Sequence, residues 1–241
     1  MRRTKQPHIK LDKQQLNIMK LRHHIIYRTI VAIKRSLQVI KILLLGQGLW
    51  RSAKVRMAVD ARGAEIPWYT YPAIEYLSSF DFKDCDVFEF GSGNSSVFFA
   101  GRARSVCSVE DNQKWFEVVS QRKRKNQMII YRADETGYVK TLPEQGKLFE
   151  IIVIDGNWRK RCVDEAIKCL KDGGMIVLDN SDRMIEKECG RLLREQGFIQ
   201  MDFSGFGPIN SYCWSTSVFM KTPALLQRNF SGPAPIGGLN N

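Results

Sequence analysis

Long hydrophobic runs are missing from the basic first quarter of this 241-residue chain, where the longest are the four-residue stretches IVAI and ILLL. A helix that crosses a bilayer needs ~20 mostly apolar residues, so we expect no membrane-spanning segment there. The same region has no short apolar core followed by a small-residue cleavage site, so we expect no export signal. Both absences favour a cytoplasmic location.

Paired cysteine motifs are also missing. None of the six cysteines forms a C-x-x-C pair, which argues against a zinc site or a thioredoxin-like redox motif. Without an export signal, a secreted disulfide framework is not expected either. We interpret the cysteines as small, reduced core residues.

Acidic residues are scarce at the start of the chain. Positions 1–60 contain 14 Lys and Arg against Asp12 and Asp60, whereas the rest of the chain contains 23 of each sign. All three histidines lie in this same basic region, so the rest of the chain has no histidine to act as a base. We therefore predict a basic helical arm and connector at 1–63, a core domain at 64–223 and a disordered Gly/Pro-rich tail at 224–241.

The arm has a helical period. Apolar residues recur every three or four positions, at Ile26, Ile30, Ile33, Leu37, Ile40 and Leu44. Such a helix could rest on an anionic membrane surface, which would make the protein peripheral on the inner face of a membrane. The alternative is a helix that packs on the core or on a second copy in a homo-oligomer.

Beyond the arm, short apolar runs alternate with mixed helical stretches. The runs are DVFEF, SVCSVE, MIIYRA, FEIIVID and GMIVLDN, and this alternation predicts an α/β fold with a parallel sheet covered on both faces. Two last runs, FIQMDF and STSVFMK, follow each other without a helix between them, so we expect them to pair antiparallel.

The run DVFEF leads into the turn GSGNSS. Gly91 and Gly93 suit a sharp turn that lets a ligand approach the backbone. A third glycine, typical of dinucleotide sites, is replaced by Ser96. Glu110 ends the next strand, where a carboxylate could accept hydrogen bonds from both hydroxyls of a ribose. These residues favour a ligand with a ribose, either a nicotinamide dinucleotide or S-adenosylmethionine.

The segments VFEFGSGNSS, SVE, RADE, FEIIVIDG and GGMIVLDN together resemble the ordered motifs of class I S-adenosylmethionine-dependent methyltransferases, over about residues 66–221. The resemblance implies a mostly parallel seven-stranded Rossmann-like sheet whose last strand inserts antiparallel between the fifth and sixth. It also implies roles for the cofactor-binding candidates. Glu89 would lie near the methionine amino group, Gly91, Gly93 and Asn94 along the methionine moiety, Glu110 at the ribose and Asp134 near the adenine amine.

A narrower resemblance concerns VIDG and VLDN. Asp155 after one strand, with Asp179 and Asn180 after the next, is similar to the metal site of catechol- and caffeoyl-CoA-type O-methyltransferases and of macrolide sugar O-methyltransferases. It implies Mg²⁺ or another divalent cation, which would lower the pKa of an acceptor hydroxyl. The alternative is that Asp155 positions the substrate and that Asp179 and Asn180 form a turn.

The catechol-type pattern has a lysine three residues after the first Asp, and here Trp158 stands there. Lys160 is close by in the sequence, and we take Asp155 and Lys160 as the candidate catalytic residues.

The acceptor is constrained by two further absences. The chain has DGNW where nucleobase N-methyltransferases have [N/D]-P-P-[Y/F/W], and Cys162 has no neighbouring proline as cytosine C5 chemistry needs. The aromatic segments PWYTY and PINSYCW suit a sugar or polyol. We therefore expect a methyltransferase for a hydroxyl of a small or glycan-like acceptor. The alternatives are an RNA or protein methyltransferase guided by the arm and a non-catalytic adenosine-ligand binder at a membrane.

Overall fold

The computed structural model describes residues 13–238, and the chain divides into two compact units, Met1–Leu43 and Leu44–Asn241. The described part of the first unit is helix α1, Lys13–Lys41, which continues into a π-helical turn at Ile42–Gly46. Arg28, Lys34, Arg35 and Lys41 interrupt the apolar residues of α1. No helix within residues 13–238 combines the length and apolarity needed to cross a membrane.

The second unit is built on a seven-stranded sheet with the order β3-β2-β1-β4-β5-β7-β6. Its strands are β1 Asp86–Phe90, β2 Ser105–Glu110, β3 Gln127–Tyr131, β4 Phe149–Ile154, β5 Leu170–Leu178, β6 Ile199–Gly205 and β7 Trp214–Met220. The pairs from β3 to β5 are parallel, and β7 is antiparallel to both β5 and β6. The predicted Rossmann-like sheet, with its last strand between the fifth and sixth, is confirmed.

Helices cover both faces of this sheet. They are α2 Leu49–Val55, α3 Tyr71–Ser78, α4 Asn94–Ala100, α5 Gln113–Ser120, α6 Glu135–Glu144, α7 Arg159–Cys169, α8 Met184–Glu195 and α9 Ala224–Asn229. Because both faces are covered, the run Ile151–Ile154 of β4 is completely buried, as its uninterrupted apolar sequence predicts. All six cysteines are free, and five of them are buried.

The strand order places a crevice at one edge of the sheet. Strand order reverses between β1 and β4, and ligands of open α/β sheets bind outside the carboxyl ends of the strands at such a point. The turns after β1, β4 and β5 all open at this edge, which brings together side chains that are far apart in the sequence.

The unit boundaries differ from those predicted at 63 and 224. Residues 44–63 belong to the second unit, where the buried Ser52 hydroxyl donates to the Val59 carbonyl at 2.7 Å. After residue 223 the chain forms α9, whose Leu225 is buried, and Phe230 then bridges to Phe80. Within residues 44–63 and 224–238, both segments bury apolar side chains, which their Gly- and charge-rich compositions obscure.

Candidate active site

The turn between β1 and α4 needs glycine at its first position. Gly91 has φ +100°, a conformation that side chains rarely adopt, and a Cβ there would lie 3.0 Å from the Asp155 carbonyl oxygen. Gly93 is less constrained, because its backbone is extended and an added Cβ would meet only the Trp115 ring at 3.9 Å. The first glycine therefore packs the turn against the β4–α7 loop, and the second leaves the backbone open to the crevice.

Glu89 lies beneath this turn, inside the sheet. Its carboxylate accepts hydrogen bonds from the Ser96 hydroxyl and, at 3.1 Å, from the Ser108 hydroxyl. Burial raises the pKa of Glu89 to about 7, although hydrogen bonds from Ser96, Ser95 and Ser108 oppose that rise. Glu89 thus supports the turn from below and holds a proton more readily than an exposed glutamate does.

Glu110 ends β2 beside the same turn. Its Oε2 accepts from the Ser92 amide at 3.1 Å and the Ser92 hydroxyl at 2.8 Å, while its Oε1 accepts from the Asn112 amide at 3.0 Å. Burial raises its pKa, and these bonds oppose the rise. The carboxylate is therefore fixed at the carboxyl end of β2, at the rim of the glycine turn.

Asn94, the first residue of α4, connects the turn to the segment after α2. Its side-chain amide donates to the Ala58 carbonyl at 2.7 Å and accepts from the Arg122 guanidinium at 3.3 Å. Residues 56–58 thereby become one wall of the crevice, so the connector contributes directly to the site.

The crevice itself is a cleft of about 500 Å³. It joins the glycine turn to the ends of β4 and β5, and three aromatic side chains contribute to its walls, Trp68, Trp115 and Tyr212. The indole of Trp115 donates to the Ser92 carbonyl at 2.7 Å, which places this ring beside the glycine turn. The remaining lining residues are Arg56, Met57, Ala58, Ser92, Gly93, Asn94, Ser95, Asp155, Asp179, Asn180, Arg183, Ile209 and Asn210.

Arg159 organises the far end of the cleft. Trp158 has φ 49°, and helix α7 starts immediately after it, so that the Arg159 side chain reaches back toward β5. Its Nη2 lies 3.1 Å from Asp155 Oδ1 and 3.4 Å from Asn180 Oδ1. Its Nη1 donates to the Asp179 main-chain carbonyl at 2.5 Å, so one guanidinium contacts all three residues.

One oxygen of the Asp179 carboxylate is held by β7. Its Oδ1 accepts from the Thr216 hydroxyl at 2.5 Å and from the Trp214 indole at 3.1 Å, both on β7. Burial and the neighbouring charge of Asp155 raise the pKa of Asp179. Burial also raises the pKa of Asp155, although Arg159 and Arg183 oppose that rise.

A divalent cation does not fit this arrangement. Oδ1 of Asp155 and Oδ1 of Asn180 face a guanidinium, and Oδ1 of Asp179 is bonded to Thr216 on β7. A metal ion would have to displace a positive group that already neutralises the site. The metal site predicted at Asp155, Asp179 and Asn180 is therefore not confirmed.

Lys160 and Asp134 do not line the cleft, and neither do Glu89, Gly91 and Glu110, which lie beside or beneath the glycine turn. Lys160 is exposed, and its ammonium lies 3.7 Å from Glu188 on α8, so the structure does not bring it to Asp155. Asp134 caps helix α6 by accepting from the Gly137 amide at 2.8 Å, and it does not line the cleft. The first turn of a helix exposes amides that need such an acceptor, which accounts for an aspartate at this position.

Sequence reasoning did not assign a role to Arg159. Its positive charge shortly after Asp155 is the only sequence signal, because α7 begins at Arg159 and the residues between them are not helical. The two aromatic segments expected to cover an acceptor do converge, since Trp68 and Tyr212 line the same cleft.

No protein-family model and no curated protein sequence matches this chain. Solved structures do resemble it. The O-methyltransferase TomG from Streptomyces achromogenes, in complex with SAM, has a TM-score of 0.53 at 16% identity over 77% of this chain and 95% of its own. A precorrin-6y C5,15-methyltransferase from Geobacter metallireducens has a TM-score of 0.52 at 14% identity over 63% and 87%. A methyltransferase from Pyrococcus furiosus has a TM-score of 0.50 at 16% identity over 78% and 98%. The chain therefore has the fold of S-adenosylmethionine-dependent methyltransferases.

Proposed function

We propose that this protein is a methyltransferase that transfers a methyl group from S-adenosylmethionine to a hydroxyl of a small or glycan-like acceptor. The observation that carries the proposal is that one cleft joins the glycine turn beside Glu110 to the carboxylate of Asp155. A cofactor bound along the turn would direct its reactive end toward the ends of β4 and β5.

The residues around the turn suit this cofactor. Glu110 presents a fixed carboxylate at the carboxyl end of β2, where ribose hydroxyls can donate to it in exchange for the Ser92 hydroxyl. The ring of Trp115 lies next to Gly93 and offers an apolar surface beside the turn. Ser92, Gly93, Asn94 and Ser95 all face the cleft and can contact the methionine moiety.

Asp155 is the best-placed base. S-adenosylmethionine supplies a methyl group on a sulfonium, and the acceptor oxygen forms the new C–O bond as the C–S bond breaks. Asp155 lines the cleft and can accept the hydroxyl proton, and burial raises its pKa above that of an exposed aspartate. Tyr69 lies near the same carboxylates, but burial first, and then Asp155, Glu89 and Asp179, raise its pKa well above the ordinary value, so it is a poor base.

The acceptor end of the cleft combines aromatic and polar side chains. Trp68 and Tyr212 supply rings, while Asn210 and Asn180 supply amides. Sugar rings and planar alcohols pack on aromatic faces while their hydroxyls need polar partners, so this lining supports a hydroxyl acceptor.

Titration calorimetry with S-adenosylhomocysteine tests the cofactor assignment. Glu110→Ala removes a charged acceptor whose bonds contribute ~1.5–3 kcal/mol each, and we expect affinity to fall at least tenfold. Glu117→Ala, an exposed glutamate on α5 outside the cleft lining, is the matched control and should bind like the wild type. Thermal unfolding of each variant separates a lost contact from a lost fold.

Two outcomes would overturn the proposal. Unchanged affinity in a folded Glu110→Ala variant would remove Glu110 from the cofactor site. Tight binding of NAD without binding of S-adenosylhomocysteine would assign the cleft to a dinucleotide instead.

A further inference from the structure

Helix α1 and the segment after it have a one-sided charge. Between residues 13 and 59 the sequence contains ten Lys and Arg and no Asp or Glu. The apolar side chains of α1 are nevertheless exposed, with Leu37 at 58% and Ile33 at 53%. A helix with this composition leaves apolar surface in water and has no acidic side chain of its own with which to pair its cations.

The exposed side chains of α1 separate into two arcs around its axis. At 100° per residue, one half of the helix contains the apolar residues Leu21, Ile25, Ile26, Ile30, Ile33, Leu37, Val39 and Ile40, all exposed. The other half contains Arg28, Lys34, Arg35 and Lys41. Arg22, in the first part of the helix, falls on the apolar half, but a long cationic side chain can extend its charge to the edge of such a surface. This separation places a broad apolar surface opposite a cationic one.

Of three possible binding partners for α1, one matches the chemistry of both arcs. A second copy of α1 packed on the apolar arc would bring cations together without any acidic residue to pair with them. A nucleic acid would neutralise the cationic arc but leave the apolar arc in water. An anionic lipid surface takes up both, because acyl chains cover the apolar arc while headgroups attract the lysines and arginines.

We propose that α1 lies in the plane of an anionic membrane surface, with its apolar arc toward the acyl chains. Arg28, Lys34, Arg35 and Lys41 are then at the level of the phosphate groups. Because these four cations are spread along the helix, α1 lies on the bilayer rather than across it. The methyltransferase-fold unit is thereby held at a membrane.

Vesicle co-sedimentation of the full chain tests the proposal. The protein should bind phosphatidylcholine vesicles that contain phosphatidylglycerol, bind pure phosphatidylcholine vesicles far more weakly, and lose affinity as salt rises. Leu37→Gln removes one exposed apolar side chain from the apolar arc and should weaken binding about tenfold. Tyr27→Gln is the matched control, because Tyr27 is equally exposed, at 65%, but lies on the cationic half.

A second pair of variants tests the charges. Lys34→Gln and Arg35→Gln should each weaken binding to the anionic vesicles about fivefold, and the double variant should lose most of the salt dependence. All four single variants alter exposed positions of α1, so each should unfold at the wild-type temperature.

Three results would overturn the proposal. The first is equal binding to neutral and anionic vesicles. The second is a dimer in lipid-free solution that Leu37→Gln dissociates, which would assign the apolar arc to a second copy. The third is salt-sensitive binding to RNA without any binding to anionic vesicles, which would assign the cationic arc to nucleic acid.

Discussion

Arg159 supplies the positive charge at the base of the cleft. Strand-end reasoning predicts that the residues after β4 and β5 meet, and the structure places Asp155 and Asn180 on either side of one guanidinium nitrogen. What the spacing cannot show is which group pairs with the Asp155 carboxylate and the Asn180 amide oxygen, since that depends on the left-handed backbone at Trp158 directly before Arg159. A motif shared with metal enzymes can therefore surround an internal cation instead.

Replacing Arg159 with alanine should destabilise the protein. Its side chain is 11% exposed, and its guanidinium pairs with Asp155 at 3.1 Å and Glu186 at 3.6 Å. Removing one partner of buried charge pairs typically costs ~3–5 kcal/mol, so we expect the free energy of unfolding in urea to fall by about 3 kcal/mol. Arg161→Ala, an exposed position paired with Glu135, should cost less than about 1 kcal/mol.

The same variant also tests the absence of a metal site. Without the guanidinium, the oxygens of Asp155 and Asn180 are free to bind a cation, so Mn²⁺ should raise the unfolding midpoint of Arg159→Ala and leave that of the wild type unchanged. Stabilisation of the wild type by Mn²⁺ would restore the divalent cation that the sequence motif implies.

Glu89 should make stability depend on pH. Its pKa is about 7 in the folded chain against 4.5 as the ordinary value, so the folded state holds a proton that the unfolded state releases. The protonated Glu89 therefore contributes to the free energy of unfolding in full below pH 4.5, and this contribution is lost as pH rises to about 7. The loss amounts to about 3 kcal/mol. Glutamine keeps an acceptor for Ser96 and Ser108 but cannot ionise.

Urea unfolding of wild type and Glu89→Gln at several pH values measures this effect. The difference in unfolding free energy, variant minus wild type, should grow between pH 4.5 and 7 and then stay constant. Glu117→Gln, at an exposed position, should show no such trend. A pH-independent difference would mean that Glu89 is ionised in the folded protein.

At the scale of elements, period and alternation predict most of the sheet. The run FEIIVI is apolar throughout except for Glu150 and forms β4 at the centre, while two runs without an intervening helix form the antiparallel pair β6 and β7. Between β5 and this pair the chain forms α8 at Met184–Glu195. These elements are predictable because their patterns reflect burial on one or both faces.

Helix ends add a second role to residues that follow strands. The family resemblance implies that Asp134 lies near the adenine amine, and in the structure its carboxylate also caps α6. Asn112 likewise caps α5 by accepting from the Trp115 amide at 3.0 Å. An acidic or amide residue after a strand can serve the ligand or the next helix, and a motif that fixes only its position does not separate the two roles.

At the scale of the whole molecule, charge and packing divide the chain at different points. The excess of positive charge extends through residue 60, whereas the compact units meet between Leu43 and Leu44. Residues 44–60 contain the exposed cations Arg51, Lys54 and Arg56, yet Ser52, Ala58 and Val59 in the same segment are buried. The net charge of a segment reflects its exposed side chains. The boundary between compact units depends on buried side chains, so net charge cannot locate it.

Two truncated chains test which of these boundaries, the one at residue 44 or the one predicted at residue 63, leaves a complete folded domain. A chain beginning at Leu44 retains the whole second unit, so it should unfold cooperatively and bind S-adenosylhomocysteine with wild-type affinity. A chain beginning at Gly63 loses the Ala58 carbonyl, which accepts from the Asn94 side chain at 2.7 Å and from the Ile66 amide at 3.1 Å.

The shorter chain also loses one wall of the cleft, since Arg56, Met57 and Ala58 line it. Its unfolding free energy should fall by several kcal/mol. The loss has two sources, the exposed apolar surface that Ala58 and Val59 cover and two lost hydrogen bonds of about 1 kcal/mol each. Thermal unfolding and titration calorimetry on both chains measure the two effects. Wild-type affinity in the chain from Gly63 would show that the connector only covers the domain, and aggregation of the chain from Leu44 would show that α1 is required for folding.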